Sequence, residues 1–223
     1  WRNLMFRDIE KDIQQYYADR AKEYDLTYQR PERQDDLKKI RILLRNLLSG
    51  HHVLEVACGT GYWTKVIASV AKSITATDIN NEVLQIARNK LINSKIVAFI
   101  HDDSYTLKKI RGNFTAGFAF SWWSHILISK LRDFLNVFHS RLQPGALVIF
   151  IDNCHTEGSS IPISRIDSDG NTYQIRKLQD GREYEILKNF PTRRRFEEVL
   201  RKKVKNLKIE FLTYFWIVTY NIL

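Results

Sequence analysis

Residues 53–64 read Val-Leu-Glu-Val-Ala-Cys-Gly-Thr-Gly-Tyr-Trp-Thr, and this run constrains the fold more than any other. A short apolar stretch carries one acid, turns on Gly-x-Gly and continues into a helix-like segment. Such a run is a strand feeding a tight turn whose backbone comes close to a ligand. Gly59 and Gly61 remove side chains where the ligand would press on the main chain. The following helix aims its free N–H groups and positive dipole end at the same spot. Glu55 lies in the strand just before the turn. A carboxylate there suits a ligand with hydroxyls or a cationic centre, which a bare pyrophosphate does not offer.

The pattern around this turn alternates. Residues 8–48 are expected to be helical, with Leu37, Ile40, Leu44, Leu47 and Leu48 at helical spacing and Pro31 dividing two stretches. Strands are expected at 52–57, 73–78, 95–100, 113–120 and 146–151. Helices are expected at 62–70, after a cap at Asn80 or Asn81, and after a cap at Ser129. Gln143-Pro144-Gly145 reads as a turn. Strand–helix alternation indicates an α/β fold, a parallel sheet with helices on both faces. Ligands in such sheets lie beyond the carboxyl ends of the strands, where the strand order reverses. That gathers the 58–61 turn, Asp78, the segment after Ile100 and Phe120-Ser121 around one cleft. Further on, Asp180-Gly181 between 172–178 and 183–188 signals a hairpin. Thr192 is a candidate cap for a basic helix to about Val204, and 207–220 supply one or two strands.

Length and composition narrow the options. The chain's 223 residues suffice for one α/β domain with an extension. Its first residue is Trp1 rather than Met, the start expected of a trimmed chain. No apolar run approaches the ~20 residues of a membrane-spanning helix, and no secretory signal pattern is visible. Cys58 and Cys154 belong to no CxxC or zinc pattern, so free thiols in a reducing cytoplasm and no metal site are expected. The net charge of +10 is scattered, with clusters at Lys38-Lys39, Arg193-Arg194-Arg195 and Arg201-Lys202-Lys203. The last two share a predicted helix, read as a solvated face ahead of a nucleic-acid contact.

One family resemblance covers about residues 16 to 152, and more loosely the strands beyond. Its carriers are Glu55-Val-Ala-Cys-Gly-Thr-Gly61, Asp78 closing the next strand, Asp102-Asp103 after the third, and Phe120-Ser-Trp-Trp-Ser-His125 after the fourth. Tyr16-Tyr17-Ala-Asp-Arg20-Ala-Lys-Glu-Tyr24-Asp25 near the start completes the set. Together they resemble the class I S-adenosylmethionine-dependent methyltransferases of small-molecule type. The resemblance implies a Rossmann-like, mostly parallel seven-stranded sheet flanked by helices. Residues 1–50 would form a helical lid, and 51–223 the methyltransferase domain with a hairpin insertion at about 155–190.

It also implies roles. Glu55 and the backbone of Ala57, Gly59 and Gly61 would meet the amino-acid end of the cofactor. Asp78 would accept from the two ribose hydroxyls, Ile79 would pack on adenine, and Asp103, or else Asp102, would accept from the adenine amino group. Phe120 and Ser121 would line the methionine portion. Tyr16, Arg20 and Tyr24 would belong to the lid. Each has a plainer reading as a turn, a helix cap or core packing. A nicotinamide cofactor fits poorly, because Thr64 stands where its fingerprint wants a small residue. A P-loop fails for want of Gly-Lys-Ser/Thr.

The implied reaction is methyl transfer from S-adenosylmethionine, leaving S-adenosylhomocysteine, to a small-molecule acceptor with aromatic or anionic character. His125 is the expected base, with Asp152 and His155 behind it. Trp122, Trp123, Arg165 and Tyr173 are the expected acceptor contacts, the last two in a 155–190 cover that also holds Arg176, Lys177, Arg182 and Tyr184. Methylation of RNA or protein through the basic helix, or a non-catalytic cofactor-binding module, are the alternatives. The RNA reading is weakened because Phe120-Ser-Trp-Trp replaces an Asn-Pro-Pro-Tyr-type motif.

Overall fold

The computed structural model describes residues 9–91, 95–201 and 203–223. Residue 8, at the start of the expected first helix, and Lys202 of the basic cluster lie outside the described residues. The apolar run 53–56 forms β1 (His52–Val56), which pairs in parallel with β2 (Ser73–Asp78) and with β4 (Phe114–Phe120). β3 (Val97–His101) flanks β2, and β5 (Leu142–Asn153) flanks β4, all parallel. The last two strands, β9 (Val204–Phe211) and β10 (Phe215–Ile222), extend the sheet antiparallel, giving the order β3-β2-β1-β4-β5-β10-β9.

Strand side chains alternate between faces, so each strand feeds two cores. Leu54, Val56, Val148 and Phe150 meet α5 (Leu131–His139) and α6 (Arg193–Leu200) through Phe134, Phe138, Phe196 and Leu200. Val53, Phe118 and Ile149 meet α2 (Gln34–Leu47), α3 (Tyr62–Ile67) and α4 (Asn81–Lys90) through Leu37, Ile40, Trp63 and Leu84. A third, smaller core joins α1 (Ile9–Asp19) to the hairpin of β7 (Thr172–Lys177) and β8 (Glu183–Leu187), with β6 (Arg165–Ile166) at its edge. Ile13 and Tyr16 are buried there against Tyr173, Ile186 and Leu187.

The stretch 8–48 divides around Pro31 as expected, with 3-10 turns at Tyr24–Gln29 and Pro31–Arg33 between α1 and α2. Two expectations shift. β5 begins before Pro144-Gly145, and a register shift between Phe114 and Ala116 absorbs the turn as a bulge. Asn80 precedes α4, but its side chain caps nothing; it donates to the Gln14 carbonyl of α1 at 3.1 Å. Thr192 does cap α6, accepting from the Arg195 N–H. The cysteines are free thiols.

Gly61 has φ +72, and a Cβ there would lie 2.9 Å from the Ala87 Cβ. This glycine therefore lets α4 pack against the turn. Gly61→Ala should destabilise the fold by about 2–4 kcal/mol, the left-handed cost plus overpacking. Urea denaturation checks this as a lower midpoint at unchanged slope.

Candidate active site

The strand order reverses between β1 and β4, and the chain leaves both strands by an unusual route. Ala57 (φ 52) and Ser121 (φ 56), just past the two carboxyl ends, are left-handed without being glycine. Such positions cost on the order of 1–3 kcal/mol each and cluster at functional sites. Both face one cavity of about 270 Å³. Its floor is the strand ends: Ala57 and Gly59, then Asp78 to Asn80, Asp102 to Tyr105, and Phe120 to Trp122 with His125. Its roof is α1, which presents Glu10, Ile13, Gln14 and Tyr17, together with Tyr24.

Asp78 organises the floor. Its Oδ2 accepts from the Gly59 N–H at 2.8 Å and its Oδ1 from the Asn80 N–H at 2.9 Å. Each oxygen keeps lone-pair capacity for one outside donor. Burial raises this carboxyl above the usual range, against the pull of the two N–H donors. Gly59 has φ +54 and nothing within 4 Å of where a Cβ would stand, so the turn leaves open space above it. Glu55 is 1% exposed, and its Oε2 has no hydrogen-bond partner. Burial, reinforced by the charge of Asp78, pushes it up to about 8. Asp102 spends both oxygens on the N–H groups of Asp103 and Lys109, whereas Asp103 accepts only from Tyr105 N through Oδ1.

The orphaned Glu55 oxygen, the open cradle at Gly59 and the two part-used oxygens of Asp78 match an amino acid linked to a ribose. The comparisons agree. A family profile described as "Methyltransferase domain" matches residues 53–145. The solved DhpI–SAH complex is 26% identical over 96% of this chain and 97% of that one, with TM-score 0.74. The chain carries a methyltransferase domain, and its fold is that of the S-adenosylmethionine-dependent methyltransferases. The DhpI–SAM–HEP complex is 25% identical, covering 96% of the methyltransferase and 98% of that chain, with TM-score 0.76. A SAM-dependent methyltransferase from Aquifex aeolicus, 17% identical with TM-score 0.65 over 92% and 98% of the two chains, shares the fold. No curated protein matches the chain.

The other expected site residues divide by place in the methyltransferase. Tyr24, Ala57, Gly59, Asp78, Ile79, Asp102, Asp103, Phe120, Ser121, Trp122 and His125 converge on the large cavity. Arg20 lines a second cavity of about 60 Å³, which shares Tyr17, Tyr24 and Ser121 with the first. Glu55 and Gly61 stand behind the wall. Tyr16 packs α1 onto the hairpin, with its ring 5.5 Å from that of Tyr184. Trp123 is core, between Phe150, Phe196 and Trp216. Arg165 lies over the Tyr173 ring and pairs with Glu185, while the buried Tyr173 gives its hydroxyl to Asp167. These last three lie outside both cavities, as does His155, which stacks edge-on with Phe190.

His125 departs from its expected role as base. Its Nδ1 is 2.7 Å from the Leu187 carbonyl, which can only accept, so Nδ1 carries the proton. Nε2, 2.7 Å from the Tyr17 hydroxyl, is then the acceptor. Burial, helped by the Lys188 charge, lowers its pKa to about 3. His125 is thus a neutral anchor for Tyr17. Asp152 is no base either. Its Oδ1 holds the Lys188 ammonium at 2.7 Å and its Oδ2 accepts from the Ser124 N–H, both residues being buried. Burial opposes ionisation of Asp152, but the ammonium wins and holds the carboxyl below its usual value.

Tyr17, quoted in the N-terminal motif without a role, and Tyr105 and Lys188, outside every motif, are further site residues. One signal was present: Glu10, Ile13, Gln14 and Tyr17 repeat at i, i+3, i+4 and i+7, one face of a helix. Lys188, near the end of a hairpin strand, gave none.

Lys188→Met would strand the Asp152 charge in the core and should cost about 3–5 kcal/mol at pH 7. Without the ammonium, burial would push the Asp152 carboxyl of the variant above its usual value, so it would take up a proton and shed its charge cost at a pH where the parent's ion pair is still intact. The deficit of the variant should therefore shrink in acid, as denaturation curves at pH 7 and pH 4 would show.

Proposed function

We propose that this methyltransferase acts on a small molecule held under α1, and that α1 is a lid. The supporting observation is how the roof is fastened. Asp19 at the end of α1 accepts from the Tyr184 hydroxyl and pairs with Arg182 on the hairpin. Asp25 accepts from the Thr60 hydroxyl of the glycine turn and pairs with Lys90 of α4. Asn80 holds the Gln14 carbonyl. These ties close the chamber over the floor, where a polymer would need a trough open at both ends. No residue of α6 lines either cavity, so the basic helix adds nothing to an RNA reading.

In this proposal Asp78 takes the ribose hydroxyls, Ile79 and Asp103 hold the adenine, and Glu55 faces the ammonium of the amino-acid end. Phe120, Tyr17 and Tyr24 surround the sulfonium, whose charge their ring faces attract. When bound, the cofactor supplies a methyl group that leaves a sulfonium as the acceptor's lone pair displaces it. The chain's own contribution is alignment, worth up to about 7–11 kcal/mol of barrier in favourable cases. With burial holding the basicity of His125 low and Asp152 ion-paired, neither of these two is a ready base. The arrangement suits a nucleophile that arrives already deprotonated.

Two tests follow. With methyl-labelled S-adenosylmethionine, label should enter small carboxylated, phosphorylated or phenolic molecules; label found in RNA alone contradicts the proposal. Second, Glu55 with a pKa near 8 must lose its proton to meet an ammonium. Cofactor affinity should therefore rise toward tenfold per pH unit between about pH 6 and 7, and Glu55→Gln should flatten that slope. Calorimetric titrations at several pH values decide it; an unchanged slope in the variant removes the Glu55 assignment.

A further inference from the structure

The second cavity gathers cations, most of them without an ion pair among the described residues. Arg20, Arg30, Arg33, Arg176 and Lys188 all line it, and among the described residues no Asp or Glu does. Among the described residues, Lys188 alone of the five has an ion pair, with Asp152. Arg33 is only 9% exposed, and its Nε is buried without a partner. Its guanidinium lies against the rings of Tyr214 and Phe215, which leaves its hydrogen-bonding edge unused. The Arg176 Nε and the Ser159 hydroxyl are likewise buried and unpartnered. Burial, then the neighbouring charge of Arg30, lowers the pKa of Arg33.

Such a collection is costly as it stands. Buried donors without acceptors forfeit their hydration, and like charges crowded out of water repel. A small oxyanion removes both penalties, because arginine forks match its oxygens two at a time. Size agrees. At about 10–15 Å³ per water-sized probe, about 60 Å³ accommodates roughly four to six heavy atoms. That is a carboxylate with its carbon, or a phosphoryl group. Position agrees too, since Tyr17, Tyr24 and Ser121 belong to both cavities.

We propose that the Arg33–Arg176 cavity is an oxyanion subsite that anchors the methyl acceptor by a carboxylate or phosphoryl group beside the cofactor chamber. The proposal rests on reading the large cavity as the cofactor site, and it makes Arg33 and Arg176 specificity-determining residues. A neutral aromatic acceptor would leave the cations unpaired and bind poorly. The anion orients the acceptor so that its nucleophilic atom passes Tyr17 and Ser121 toward the methyl group.

The test uses the full chain saturated with S-adenosylhomocysteine, titrated at constant ionic strength with inorganic phosphate or with acetate. Calorimetry and the shift of the thermal midpoint are the readouts. Saturable binding of at least one anion is expected; the one preferred tells a phosphoryl from a carboxylate acceptor. Arg176→Gln should weaken that binding at least tenfold while leaving S-adenosylhomocysteine affinity unchanged. Its unliganded midpoint should hold or rise, because a crowded like charge is gone; an arginine that merely braces the fold would lower it. Asp78→Ala separates the two readings, since it should lose the nucleoside ligand and keep the anion. Absence of saturable binding by both anions, or an Arg176→Gln variant that binds as tightly as the parent, overturns the proposal.

Discussion

The bond from the Gly59 N–H to Asp78 ties the end of β2 to the turn after β1, and the rest of the site is hung from it. A parallel sheet whose order reverses at β1 and β4 opens a crevice there by topology alone. What turns the crevice into a receptacle is the way the chain leaves each strand. Ala57 and Ser121 take left-handed conformations, and Gly59 leaves space above the turn. Asp78 then fixes the turn with one oxygen and the start of α4 with the other. The strain in these turns is carried by the two apolar cores packed on either face of the sheet.

Electrostatics divides the chamber in two. Asp78, Asp102 and Asp103 crowd the floor of the large cavity, where a ligand with hydroxyls, an amino group and a sulfonium is wanted. Among the described residues, the small cavity has five cationic side chains and no acid. Tyr17 and Tyr24 stand between the halves, and His125 holds the Tyr17 hydroxyl while itself pinned to Leu187. A positively charged donor and a negatively charged acceptor would thus be sorted to opposite ends before they meet.

Much of this was legible in the residues because it depends on local rules. The glycine turn, the acid closing 73–78, and the hairpin around Asp180-Gly181 follow from backbone chemistry at fixed spacing. The contacts read from Asp78, Asp103, Phe120 and Ser121 converge because topology puts successive strand ends together. Long-range partners were not legible. Lys188 reaches Asp152 across 36 positions, and only the docking of the hairpin brings them together. His125 looked like a base because sequence shows neither its burial nor the two bonds that consume its nitrogens. Trp123 and Tyr173 looked available because an aromatic residue near a site and one in a core read alike. Arg165 belongs with them, since its partner Glu185 comes from the opposite strand of the small sheet.

The central claim is that the two oxygens of Asp78, each already accepting one backbone N–H, receive the ribose hydroxyls of the cofactor. The most direct measurement is a calorimetric titration of the unmutated protein with S-adenosylhomocysteine and with its 2′,3′-dideoxyribose analogue. Losing even one hydrogen bond to a charged acceptor forfeits about 1.5–3 kcal/mol. The analogue should therefore bind at least tenfold more weakly. Equal affinity for the two ligands would contradict the account.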